Sequence, residues 1–430
     1  MCQGRITLWI QTVAALLVVI FLTWNGTTWA GSSSKDTQLL DAVVKGNADE
    51  VKRLLDEGTK PNARGKDRVT ALMEACGRLD ATVQGLEGKE TCTWKRKGGN
   101  LQIAKILLEK GADPNAKDRN RETPLARACR LAEPEIVSLL LDHKADPNAR
   151  DRYGITPLAA ACGRIKTRKT YYRITPPGRV FMTLGRNGKV EPAGDSQRAQ
   201  IVRMLLEKGA KIEGKDRQGV TALLVASGYI YAREHSKGGE RTVNFRANLG
   251  DPQLVRILTE HGAKPDAKQK QGITPILVAS IMNNEPVLKL LLAKKSDVDV
   301  KDRSGHTPLN WAASNGKIKA ARVLLAKGAD LNSKDRDGMT PLIKAAREGH
   351  TAVVRLLIDK GARLNSKDRT GQTALIWAAL KGHAQVVDLL LEKGADASVR
   401  NNQGKSALRV ARMKQRKDVM EILKNRGVTR

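Results

Sequence analysis

Aromatic side chains are scarce in this chain of 430 residues, where Trp, Tyr and Phe together make up 3%. That is little for the core of a compact enzyme. Cysteine is scarce as well, and five cysteines exclude a disulfide-dense secreted scaffold. Acidic residues are outnumbered, with 45 Asp and Glu against 76 Lys and Arg, for a formal net charge of +31. This excludes an acidic solubility tail or an acidic metal buffer and points to polyanions or acidic surfaces as partners. The six histidines include no pair at metal-ligand spacing. There is no phosphate-binding glycine loop and no Gly-x-Ser-x-Gly elbow, so no cofactor or small-molecule substrate is implied. What is present is a 40% hydrophobic composition, enough for a large core, over a length of about three ordinary domains or one long array.

The N-terminus reads as an export signal. Val13 to Leu22 is an unbroken apolar run preceded by Arg5, and Thr28-Trp29-Ala30 offers a small-residue cleavage step. Cleavage near Ala30 would place the rest in the periplasm or outside the cell. In the alternative, Ile6 to Trp24 stays as a single-pass inner-membrane anchor, although Gln11 and Thr12 interrupt that longer segment. Either way residues 1–30 stand apart from the body.

The body is organised by a fixed period. Thr-Pro-Leu or Thr-Ala-Leu, or a close variant, begins at Thr70, Thr123, Thr156, Thr221, Thr274, Thr307, Thr340 and Thr373, and Ser406-Ala407-Leu408 continues the series. The later steps are all 33 residues, and the three longer ones carry insertions. Stepping back one period from Thr70 reaches Thr37, which makes about ten units over residues 36–427. In each unit Thr, often with Pro, opens a helix. A Gly-containing turn leads to a second helix with a stronger apolar stripe, such as Val353, Val354, Leu356, Leu357 and Ile358. A glycine such as Gly361 ends it, and a polar hairpin-like turn leads into the next unit. One helix pair cannot bury both faces, so stacking must supply the core.

This pattern resembles the ankyrin repeat. The matching residues include Gly328-Ala329-Asp330, Asn332, Asp335, Gly338, Thr340-Pro341-Leu342, Ala345-Ala346, Gly349-His350 and Leu356-Leu357. The resemblance implies an all-α repeat solenoid, a stack of helix-turn-helix units with hairpin turns. It implies a concave face of turns and inner helices that binds other proteins, and it brings no catalytic residues.

The chain departs from that pattern in two ways. Three inter-helix insertions fall near 78–97, 163–194 and 229–248. They hold seven of the ten aromatics found after residue 30: Trp94, Tyr171, Tyr172, Phe181, Tyr229, Tyr231 and Phe245. The middle one is strongly basic, with Arg173 among eight cations, and Asn187-Gly188 between short apolar runs signals a hairpin. The inserts form either a packed satellite core or a basic-aromatic docking surface, and a packed scaffold can also expose its cations. The second departure is charge on the turns. Six residues before each Thr or Ser stand Arg64, Lys117, Arg150, Lys215, Lys268, Lys301, Lys334, Lys367 and Arg400. Four before it stand Lys66, Arg119, Arg152, Arg217, Lys270, Arg303, Arg336 and Arg369, then Asn402. These make two parallel ladders with rungs about 10 Å apart, the width of a helix. Asp residues between the ladders partly neutralise them. Arg68 and Arg121 replace a turn glycine and predict two turns of different shape.

Cys76, Cys129 and Cys162 recur at one small inward position and read as packing residues, and Cys92 lies in the first insert. His350 and His383 read as surface turn histidines, and Trp311 and Trp377 as fillers of the inter-helix core. The resulting expectation is a non-catalytic protein-interaction scaffold for an acidic partner. Its contacts are Arg119, Arg152, Arg217, Arg303, Arg336 and Arg369 on the turns, with Trp94, Tyr171, Tyr172, Arg173, Phe181, Tyr229 and Tyr231 on the inserts. The alternatives are an anionic lipid or cell-envelope polymer as the partner, or an enzyme whose site is built by the inserts. Export argues against nucleic acid.

Overall fold

The computed structural model describes residues 35–86, 89–163, 170–175, 179–184, 195–228, 231–237, 240–246, 250–293 and 296–428. The apolar run Val13–Leu22, the Thr28–Ala30 step, Asn187-Gly188 and Tyr229 lie outside the described residues. The chain is an all-α repeat solenoid. Among the described residues the helices come in ten consecutive pairs, from Lys35–Lys45 with Ala48–Asp56 to Ala407–Met413 with Lys417–Asn425.

From Thr70 onward every first helix starts the same way. The hydroxyl of the Thr or Ser accepts a hydrogen bond from the N–H three residues on. Thr340 accepts from Ile343 at 3.3 Å, for example. These caps are buried, so each satisfies an amide that water does not reach, and each contributes about 1 kcal/mol. Pro124, Pro157, Pro275, Pro308 and Pro341 follow their caps, where a helix has no carbonyl to spare for an N–H. First helix packs on first helix and second on second, and one apolar cluster runs from Leu39 to Leu423. No unit closes its own core.

The interruptions are hairpins. Strands β1 (Arg78–Leu86) and β2 (Lys89–Lys97) lie between helices Ala71–Ala75 and Leu101–Glu109. Strands β3 (Thr170–Thr175) and β4 (Arg179–Leu184) lie between Pro157–Cys162 and Asp195–Glu207. Strands β5 (Tyr231–Lys237) and β6 (Glu240–Arg246) lie between Ala222–Ala226 and Pro252–Glu260. The middle hairpin pairs Thr170–Thr175 with Arg179–Leu184. The first two hairpins, from non-adjacent units, join into one antiparallel sheet of order β1-β2-β3-β4 through Glu90–Cys92 and Thr170–Tyr172. The third hairpin stands by itself as a two-stranded sheet. The buried Arg198 donates to the carbonyls of Ala161 at 2.6 Å and Gly163 at 2.9 Å, at the end of the helix from which the second insert leaves.

Cys76, Cys129 and Cys162 are buried. Burial pushes the Cys76 and Cys162 thiols up to about 12 and raises that of Cys129 too, so none is a thiolate at neutral pH.

Candidate interaction surface on the turns

Six of the turns are closed by an Asp. The Asp335 Oδ1 accepts from the N–H groups of Asp337 and Met339, both at 2.9 Å. Asp118, Asp151, Asp216, Asp302 and Asp368 make the same pair of bonds, and Asn401 makes them with its side-chain oxygen. The residue before the last extended arm is left-handed, as Gly305 is with φ 78°. Arg121 adopts the same conformation at φ 58° and keeps the turn's bonds, so that turn does not differ in shape. The turn at Arg68 does differ. It lacks the Asp, and Asp67 and Arg68 are both left-handed, at 57° and 62°.

Neighbouring turns bond directly to one another. The N–H of Arg303 donates to Gln271 O at 3.2 Å, that of Arg336 to Ser304 O at 3.0 Å and that of Arg369 to Asp337 O at 2.9 Å. The same bond recurs at Arg119, Arg152, Arg217 and Lys270. The turns therefore stack as a continuous strip along the solenoid.

The two basic ladders prove unequal. In the row six residues before the cap, Arg64, Arg150, Lys334 and Lys367 each donate to the carbonyl of the corresponding residue one unit on, at 3.1, 2.8, 2.9 and 2.9 Å. Lys301 does the same more loosely at 3.5 Å, and Arg400 turns back to Gly404 O. Lys117, Lys215 and Lys268 make no such bond with a described residue, so that row staples the stack over part of its length. In the row four before the cap, Arg119 pairs with Asp67 at 3.4 Å. Arg152 donates to Asn120 Oδ1 at 2.9 Å and lies over the Tyr153 ring at 4.6 Å. From there on the side chains of Arg217, Lys270, Arg303, Arg336 and Arg369 are exposed, and none makes a hydrogen bond or ion pair with a described residue.

The Asp residues are turned inward, and the inner helix ties several of them down from four residues after the cap. Trp311 Nε1 donates to Asp302 Oδ2 at 3.0 Å, and Trp377 Nε1 to Asp368 Oδ2 at 2.7 Å. Lys344 Nζ lies 2.7 Å from Asp335 Oδ2, and Arg127 Nη2 lies 3.7 Å from Asp118 Oδ2. His306 bridges two turns, with Nδ1 3.2 Å from Asp302 and Nε2 3.3 Å from Asp335, and its ring packs at 5.1 Å on Trp311. Burial works to raise the Asp335 carboxyl, but Lys344, the Met339 N–H and His306 outweigh it and hold it below the usual carboxylate range. At Asp118 burial wins over the backbone bonds, helped by the neighbouring Glu122, and its carboxyl is raised.

Trp377 packs against the core as expected, whereas Trp311 is not among the residues packed on it. Both are partly exposed beside the basic row, and Arg347 lies 5.6 Å over the Trp377 ring. The charged partners Arg127, Lys344 and His306 were missed from the sequence. A signal for most of this was present: a donor nine residues after the turn Asp, at Arg127, Trp311, Lys344 and Trp377. His350 and His383 are likewise not loose turn residues. Their Nε2 atoms lie 3.0 Å from the carbonyls of Ser314 and Arg347, one unit back.

The register distributes the insert residues between the two faces of the four-stranded sheet. Tyr171, Arg173 and Phe181 share one parity with Arg78, Lys89, Lys95, Lys97 and Arg179. Trp94 and Tyr172 share the other with Leu79, Val83, Ile174, Val180 and Met182. Tyr231 sits on the separate hairpin, opposite Arg246. Among the described residues no group of three His, Cys, Asp or Glu is placed to hold a metal, and no helix is long and apolar enough to cross a membrane.

The family model described as ankyrin repeats (3 copies) matches residues 94–170, 244–335, 331–401 and 368–429. Over 104 residues the chain is 34% identical to the ankyrin repeat and KH domain-containing protein mask-1 of Caenorhabditis elegans. That stretch is 24% of this chain and 3% of that protein, so the likeness concerns the repeats and only a small part of the relative.

Proposed function

The chain belongs to the ankyrin-repeat family, whose solenoids bind other proteins, and from that premise we propose that it captures an acidic protein on the outer basic row. The observation that carries this reading is the inequality of the two ladders. Five members of one row reach their neighbours' carbonyls, whereas Arg217, Lys270, Arg303, Arg336 and Arg369 remain exposed, all but Lys270 beside a hydrogen-bonded turn carboxylate. A line of unpaired cations raises the local potential and speeds encounter with an acidic surface. The inserts supply a second contact in this proposal. The sheet face with Tyr171, Arg173 and Phe181 combines aromatics with cations, the composition of a protein interface. The proposal keeps the export signal, with Val13–Leu22 carrying the solenoid out of the cytoplasm, and N-terminal sequencing of the isolated protein checks cleavage near Ala30.

The test is charge reversal of the row in the full chain, Arg303→Glu with Arg336→Glu and Arg369→Glu. Association with a captured protein partner should slow by about tenfold or more at low salt, while the melting temperature stays within a few degrees. Unchanged association would refute the basic row as the contact. Capture that is equally strong on anionic vesicles or polymer, and wholly salt-labile, would favour the polyanion reading instead.

A further inference from the structure

We propose that the free row reads an extended acidic segment with polyproline II geometry, carrying a carboxylate at every third residue. This rests on the basic-row reading above and adds the partner's spacing. The argument starts from the turns. Each turn has two extended arms bonded to each other, as Asp335 N–H is to Met339 O at 3.2 Å, and each is bonded to the next turn, as Arg369 N–H is to Asp337 O at 2.9 Å. One unit along the strip is therefore two inter-strand spacings, or about 9.6 Å. All four steps from Arg217 through Lys270, Arg303 and Arg336 to Arg369 carry that turn-to-turn bond, so the five cations form one evenly spaced row.

A polyproline II segment advances about 9.3 Å in three residues and has three residues per turn. Every third side chain then lies on one side, in step with the rungs. A β-strand covers a similar distance in three residues, but its side chains alternate, so every second carboxylate would face away. An α-helix returns to one side at about every seventh residue, a rise of about 10.5 Å that overshoots the rungs, and that row drifts by about 20° per heptad and leaves the line over five rungs.

The inner-helix tryptophans add the second half of the match. Trp311 and Trp377 stand two units apart beside the row, with their indole N–H groups fixed by Asp302 and Asp368. Partly exposed rings held in place are platforms for proline, the residue that pre-sets this conformation. Lys344 occupies the equivalent place between them, bound to Asp335. The matching segment has an acidic residue at each third position and prolines six residues apart facing the two rings.

The experiment uses the full chain and fluorescein-labelled peptides, read by anisotropy. One peptide has five Glu-Pro-Ser repeats. A second has the same composition with its glutamates in one block, and a third is helical with Glu at every seventh residue. The periodic peptide should bind about tenfold or more tighter than the block isomer and the helix. Arg336→Gln, in the middle of the row, should remove most of that preference, and Trp311→Leu should weaken the periodic peptide more than the block isomer. Equal binding of the isomers, abolished by the triple charge reversal, would overturn the spacing and leave the basic row standing. Tightest binding by the helical peptide would also overturn the spacing. If no peptide distinguishes the triple variant from the unaltered chain, both readings fall.

Discussion

At the scale of single residues, two turn carboxylates, Asp335 and Asp118, are shifted in opposite directions. Asp335 is held low by Lys344 at 2.7 Å, against the effect of burial. A carboxyl lowered in the folded state contributes stability above its unfolded value near ~4, and this is lost as pH falls through the folded value. Asp335→Asn should therefore cost about 2–3 kcal/mol at pH ~7, by weakening a buried charge-assisted bond and leaving Lys344 without its counter-charge. The difference should shrink as the pH is taken below ~4. Asp118 is raised, mainly by burial, so its ionised form costs stability at neutral pH and the cost is relieved on acidification. Asn401 already closes an equivalent turn with an amide oxygen. Asp118→Asn should consequently change stability by less than about 1 kcal/mol at pH ~7. Urea midpoints at the two pH values check both, and an equal loss in the two variants would show that environment does not divide them. The type of each turn residue was legible in the sequence. Which carboxylate gains or loses by ionising was not, because that depends on a donor nine residues away and on how deeply both are buried.

At the scale of elements, the unit-to-unit contacts are set by glycines and histidines acting together. Gly316 has φ 64°, and a Cβ there would lie 2.7 Å from His350 Nδ1, whose Nε2 lies 3.0 Å from Ser314 O. Gly328 has φ 83° with open space around it. Gly328→Ala should cost only the left-handed penalty of about 1–2 kcal/mol. Gly316→Ala should cost about 1–3 kcal/mol more through the clash, and that excess should vanish in a His350→Ala background. A double-mutant cycle with no coupling would remove the contact from the account. The Gly-His signature was readable at Gly349-His350, but its role was not, since the ring serves the preceding unit. The inserts follow the same rule. Their positions were legible as breaks in the period, whereas the pairing of Thr170–Tyr172 with Glu90–Cys92 joins segments from non-adjacent units and leaves no trace in spacing. Alternation along all four strands puts Leu79, Val83, Ile174, Val180 and Met182 on one face only in this register. Replacing residues 79–96 with a tight turn should therefore speed amide exchange in Thr170–Thr175 by about tenfold or more, while Pro341–Arg347 keeps its protection. Unchanged exchange in β3 would mean that the two hairpins are independent.

At the scale of the whole molecule, the argument is about charge of one sign on an elongated array. The chain carries +31. Several ion pairs cross between units, such as Lys110 with Asp56, Lys208 with Asp142 and Arg426 with Asp388, but all are exposed and each is worth about 0–1 kcal/mol. Against them stands repulsion along the free row, whose rungs are about 9.6 Å apart. At ~0.01 M salt the screening length of about 30 Å spans three rungs, and at ~0.15 M it falls to about 8 Å, less than one. Raising the salt over that range should therefore raise the melting temperature of the array, the reverse of a fold held by surface pairs. The same screening should slow capture of an acidic partner, because the field that strains the solenoid is the field that steers. Stability and association rate are thus expected to move in opposite directions with salt. Arg303→Glu with Arg336→Glu and Arg369→Glu should flatten both slopes together. If melting instead falls as salt is added, the inter-unit pairs outweigh the row. The exposed cations would then be screened at home by their neighbours and unavailable as a source of long-range attraction.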